Sequence, residues 1–136
     1  MYTIQIFLTF FVLLATPWIG EPRPDQWWID RHNGFVQNTI NNGNKYNVVF
    51  YGDSITEGWG GEGAPVFQEK YEPLGTANYG IGGDRCEHLL WRIDDGEVQS
   101  NLQPKLVVLK IGTNNGEYLF VLGKTFDCMF SYFCPS

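Results

Sequence analysis

Residues 47–54 read Asn47-Val48-Val49-Phe50-Tyr51-Gly52-Asp53-Ser54, an apolar run that stops on small and polar residues. Valines and aromatics in succession predict a β-strand over 47–51, and Gly52-Asp53-Ser54 predicts the turn that leaves it. The cadence returns twice. Residues 77–81 form a weaker strand pattern and run into Gly82-Gly83-Asp84. Residues 106–111 form a third and run into Gly112-Thr113-Asn114-Asn115. Leu106-Val107-Val108-Leu109 is apolar without alternation, which predicts a strand covered on both faces.

Helical patterns lie between the strands. Cys86, Leu89, Leu90 and Ile93 are spaced i, i+3, i+4, i+7, one face of a helix. Asp84 reads as its N-cap, with Glu87 as capping-box partner, and Gly96 as its stop. Val66, Phe67 and Tyr71 predict a shorter helix before the second strand. Ahead of the first strand, Trp28, His32, Val36 and Ile40 recur every four residues with Phe35 beside them, and Asn41-Asn42-Gly43-Asn44 ends that helix. Strand, helix, strand, helix, strand predicts an α/β fold with a parallel sheet and right-handed crossovers.

The whole chain bounds the function classes. Its 136 residues are the size of one domain, and 43% hydrophobic residues suffice for a core. A net charge of −6 with no Lys or Arg run argues against a nucleic-acid partner, which needs a basic surface. Cys86, Cys128 and Cys134 match no zinc spacing. They read as structural thiols, with a Cys128–Cys134 pair left open. Residues 4–15 are nearly all apolar, too short to span a bilayer comfortably and suited to the core of a secretory signal. An uncleaved anchor or a buried helix are the alternatives. Residues 1–20 are therefore read as a signal peptide with cleavage between Ala15 and Glu21, which implies secretion or the secretory pathway and no stable membrane insertion. Pro22-Arg23-Pro24 reads as a stiff spacer ending the leader. Residues 116–136 show no further strand–helix pattern and read as an atypical tail.

In open parallel sheets, ligands bind at the carboxyl ends of the strands. The three polar motifs all follow strands and are expected to face one crevice. Ser54 can project its hydroxyl there as a nucleophile, with Asp53 orienting the turn rather than serving as base. Gly83 can bring a bare backbone N–H close to a reacting carbonyl, and Asn114 offers an amide N–H. A serine with converging N–H donors has the composition of an acyl-transfer site. Gly58-Trp59-Gly60-Gly61-Glu62-Gly63 fits a literal G-x-G-x-x-G, but no tight strand-to-helix turn precedes it, and no acidic residue ends the second strand. It reads as a flexible rim to the crevice, with Trp59 a candidate for the acyl pocket.

These motifs resemble the SGNH (GDSL-type) hydrolase superfamily. Gly52-Asp53-Ser54-Ile55-Thr56-Glu57-Gly58 is similar to its first block, Asn78-Tyr79-Gly80-Ile81-Gly82-Gly83-Asp84 to its second, and Gly112-Thr113-Asn114-Asn115 to its third. Within the superfamily the resemblance is to the platelet-activating-factor acetylhydrolase catalytic subunits and secreted relatives. It is carried also by residues 28–36, by His88-Leu89-Leu90-Trp91-Arg92-Ile93, by Asp95-Gly96-Glu97 and by Pro104-Lys105-Leu106. It implies a flavodoxin-like three-layer α/β/α fold, of which residues 21–115 are the N-terminal part, truncated after the third strand. It implies Ser54 as nucleophile, with Ser54 N–H, Gly83 N–H and the Asn114 side chain as oxyanion hole. A small acyl ester of lipid or carbohydrate, acetyl most naturally, is the implied substrate. No metal or cofactor is implied, and a dimer is possible by resemblance.

The family's general base is a histidine in an Asp-x-x-His block, and these 136 residues contain no such block. His32 is expected to pack or face solvent, and His88 to occupy a helix position. Loss of the histidine in a comparable triad costs about 10⁶ in kcat. The expectation is therefore an inactive fragment of an esterase, with a non-catalytic ligand- or subunit-binding protein as the alternative.

Overall fold

The computed structural model describes residues 17–116. Helix α1 (Gln26–Asn42) leads into β1 (Val48–Gly52), the one-turn helix α2 (Ser54–Glu57), α3 (Ala64–Lys70), β2 (Thr76–Gly80), α4 (Cys86–Arg92) and β3 (Leu106–Lys110). The strands form a parallel sheet in the order β2-β1-β3, with Val48 opposite both Thr76 and Leu106. This is the α/β architecture expected from the strand–helix alternation. Residues 1–16 of the expected signal peptide (1–20) and 117–136 of the expected tail (116–136), with Cys128 and Cys134, lie outside the described residues.

Central β1 is buried along its whole length. Alternation sends Val49 and Tyr51 to one face, where Ala77, Tyr79, Leu89 and Leu102 join them. It sends Val48 and Phe50 to the other face, against Phe67, Trp59 and Tyr71. Helices α1 and α4 belong to the first face and α3 to the second, giving three layers.

Four expectations need correction. Every-four spacing drifts by about 40° per step on a helix of 3.6 residues per turn. Ile40 has accordingly rotated out to solvent, and Thr39 takes the buried place. The N-cap of α4 is Arg85, not Asp84, and the ring of His88 accepts the Arg85 backbone N–H at 3.1 Å. Asp84 is drawn into the interior by Trp28 and Arg92 instead. Strand β3 is exposed at every residue, including Leu106 to Leu109, because among the described residues it is flanked only by β1. Pro22-Arg23-Pro24, expected only as a stiff spacer, is tied to the domain through its neighbours. Glu21 N–H donates to Glu87 O at 3.1 Å, so the segment lies along α4. Gly96, with φ 104°, ends the winding that follows α4, as its sequence position foretold.

Candidate active site

The carboxyl ends of all three strands are tied together. Ile81 N–H donates to Gly52 O at 3.1 Å, and Asp53 N–H to Lys110 O at 3.3 Å. A Cβ on Gly52 would lie 2.1 Å from Lys110 O, so only glycine lets β1 pass there. Ser54 then opens α2 as its first residue and is exposed. Asp53 is fully buried and caps α2, its Oδ1 accepting from Ile55 N–H at 2.9 Å. Its carboxylate thus holds the turn that presents Ser54. Asn78 braces the same turn from β2: its amide donates to Thr56 O at 2.9 Å while its oxygen accepts from Gly80 N–H at 3.0 Å.

The second motif closes on the first. A Cβ built on Gly82 would stand 3.8 Å from Ser54 Cβ and 2.6 Å from Glu57 Oε2. Gly83 follows with φ 79°, a left-handed conformation that favours glycine, and it is exposed. The third motif meets the second. Asn114 Nδ2 donates to Asp84 O at 2.7 Å. A primary amide carries two N–H groups, and this tie uses one of them. Asn115, next in sequence, is buried and bridges Cys86 N–H at 2.9 Å and Glu87 Oε2 at 2.9 Å, which anchors the motif to α4. The three motifs, some 60 residues apart at their extremes, form one cluster.

Beneath the cluster lies a chain of buried charge that periodicity did not reveal. Arg92 is fully buried. Its Nη1 contacts both Glu97 carboxylate oxygens at 2.9 Å and donates to Tyr79 O at 3.1 Å. Its Nε stands 2.9 Å from Asp84 Oδ2, an ion pair whose N–H is out of line for a hydrogen bond. Trp28 Nε1 donates to Asp84 Oδ1 at 2.7 Å. Burial pushes the Asp84 carboxyl up to about 6, against the pull of Arg92. At the far end His32 Nδ1 meets Glu97 Oε1 and Nε2 meets Asp95 Oδ2, each at 3.0 Å. Two carboxylates on one ring call for the imidazolium. Burial alone would lower its pKa, but Glu97 and then Asp95 outweigh that and raise it.

Neither histidine is a free base. His32 is committed to two carboxylates, which settles its packing role. His88 is buried with the Arg85 guanidinium 3.2 Å from Nε2. Burial, then the Arg85 charge, brings its pKa down to about 4. Trp59 is half-buried and packs edge-on to Phe50 at 6.3 Å and Tyr71 at 5.4 Å. The glycine-rich rim is held in a 3-10 turn, with Gly61 and Gly63 N–H groups both donating to Gly58 O.

Sequence reasoning missed Arg23, Arg31, Arg92 and Glu97. Arg31 pairs with Glu57 at 2.9 Å and reaches Gly80 O at 3.4 Å. Arg92 and Glu97 fall within the stretches that carried the resemblance, but an apolar-face rule assigns charged residues outward.

Comparison with known proteins gives concordant matches. A model of the GDSL-like lipase/acylhydrolase family matches residues 50–128. Platelet-activating factor acetylhydrolase IB subunit alpha2 of Homo sapiens is 38% identical over 93 residues, which are 68% of this chain and 38% of that protein. Subunit alpha1 of Mus musculus is 37% identical over 97 residues, 71% of this chain and 40% of that protein. The chain thus spans about two fifths of the length of the curated relatives it matches.

Proposed function

Because the chain belongs to the GDSL-like lipase/acylhydrolase family, we propose that Ser54 is the nucleophile of a serine hydrolase acting on small acyl esters, acetyl esters by preference. The observation that carries this is the meeting of an exposed Ser54 with the Gly82-Gly83 loop and of that loop with Asn114. In this reading the Ser54 hydroxyl attacks the ester carbonyl, the alcohol leaves, and water releases the acid from the acyl-serine. The negative oxygen of the tetrahedral intermediate takes hydrogen bonds from Ser54 N–H, Gly83 N–H and the second N–H of Asn114, each worth about 3–4 kcal/mol. The preference for acetyl is supported by the names of the similar acetylhydrolases.

Attack also needs a base, and both histidines of these 136 residues are engaged elsewhere. Turnover at enzymatic rates therefore calls for a histidine from outside them. By themselves they are proposed to bind an acyl ester without efficient hydrolysis, which is also where the binding-protein reading finds its support. The apolar run of residues 4–15 supports a secretory destination. Among the described residues no helix is long and apolar enough to cross a membrane.

The test is hydrolysis of 4-nitrophenyl acetate by the longest natural product containing these residues. Ser54→Ala should lower kcat by about 10⁴-fold or more. Acetate release that survives this substitution would sink the assignment.

A further inference from the structure

The segment ahead of α1 is absorbed by none of the chemistry above, yet it reaches the site. A Cβ on Gly20 would come within 3.0 Å of Trp91 N, so this glycine lies flat against α4. Three residues on, Arg23 crosses to the loop after β2. Its Nη1 donates to Gly82 O at 2.9 Å and stands 3.7 Å from Asp84 Oδ1. Asp25 holds the other side of the guanidinium, with Oδ2 3.3 Å from both Nε and Nη2. The Trp27 ring lies 4.8 Å from Cζ. Asp25 is also the N-cap residue of α1, but its carboxylate makes no capping bond. The group that ordinarily caps a helix is turned to Arg23 instead.

The carbonyl that Arg23 holds shares a peptide plane with the N–H of Gly83. No cis peptide occurs among the described residues, and in a trans peptide C=O and N–H point in opposite directions on one rigid plane. A donor fixed on Gly82 O therefore fixes where Gly83 N–H points. A cationic donor also polarises the amide, which strengthens the N–H as a donor at its other end. Two glycines in a row supply little stiffness of their own, so the clamp has something to hold.

We propose that Arg23 is a positioning residue for the oxyanion hole, acting through the Gly82–Gly83 peptide to aim the Gly83 N–H at the substrate carbonyl oxygen. This rests on the reading of Ser54 as nucleophile. Arg23 needs to touch no substrate for this, and its effect belongs to the transition state, where negative charge develops.

The test compares wild type, Arg23→Gln, Arg23→Lys and Ser54→Ala in the longest natural product containing these residues, with 4-nitrophenyl acetate as the probe. Arg23→Gln should lower kcat by about 10-fold with KM changed less than about 2-fold, and Arg23→Lys should recover part of the loss. In ¹⁵N,¹³C-labelled protein the Gly82 carbonyl and Gly83 amide resonances should move in Arg23→Gln. Unchanged kcat in the presence of Ser54-dependent hydrolysis overturns the proposal, and so does a loss confined to KM, which would mean substrate contact. Should Ser54→Ala leave hydrolysis intact, the nucleophile reading falls. The two glycine resonances then still decide the clamp, and resonances that stay in place overturn it.

Discussion

The two faces of the sheet are built from different materials. On the α3 side Phe50, Phe67, Tyr71 and Trp59 pack edge to face or tilted, with ring centroids 5.3–6.5 Å apart. On the α1–α4 side Tyr51 and Tyr79 make a similar contact at 5.4 Å, but around them lie the buried charges of His32, Glu97, Arg92 and Asp84. Apolar packing tolerates small displacements, because dispersion and burial depend weakly on direction. A chain of ion pairs does not, because each partner left unpaired in the interior is costly. The charged face is the one that continues into the Gly82-Gly83-Asp84 loop. Direction-dependent interactions thus lie where the aim of backbone N–H groups matters, and aromatic packing lies where it does not.

The contrast can be broken most sharply at its centre. Arg92→Met keeps the volume but strands Asp84 and Glu97, and should destabilise the chain by about 3–5 kcal/mol in urea unfolding. A loss below about 1 kcal/mol would mean that the charges are not coupled to folding. Phe67→Ala on the opposite face should cost about 3 kcal/mol through lost burial and a cavity. It should leave the Gly83 amide resonance in place, whereas Arg92→Met should move it. Equal movement in both variants would erase the distinction between the faces.

The smallest effect is a pH dependence confined to the charged face. The folded-state pKa of His32 is raised above its ordinary 6.5. The stability it contributes is fully present below that ordinary value and is lost as pH rises through the raised one. Wild type should therefore unfold at lower urea at about pH 9 than at about pH 6. In His32→Gln that difference should shrink, while Phe67→Leu should keep it. The Asp84 carboxyl, pushed up to about 6, titrates at the lower edge of this window in every variant, so the His32→Gln comparison isolates the imidazole.

Much of this was legible in the chain. The three strand-then-polar motifs located β1, β2 and β3, because a run of β-favouring apolar residues extends and the small polar residues at its end must turn. Helix α4 was found from its spacing, but its cap was not. Asp84 is a good capping residue by type, yet a buried arginine and an indole N–H outbid the helix for its carboxylate. Likewise Ile40 fits a four-residue count that the true helical pitch does not keep. Trp59 sits in a glycine-rich run that suggested an open rim, and only the position of Phe50 on β1 shows that it packs inward.

Local sequence determined the elements, their order and the turn that presents Ser54, since each depends on residues within one turn or strand of one another. The cluster's braces were decided by the tertiary fold alone. Arg23 to Gly82 spans 59 residues, His32 to Glu97 spans 65, and Asn114 to Asp84 spans 30. Arg23, His32, Glu97 and Asn114, read singly, all point to a solvated surface, and two of these contacts end on backbone carbonyls that no side-chain pattern announces. They find these partners only when the sheet and its helices bring distant segments together, and for His32 and Glu97 the packing also removes water from both ends of the pair.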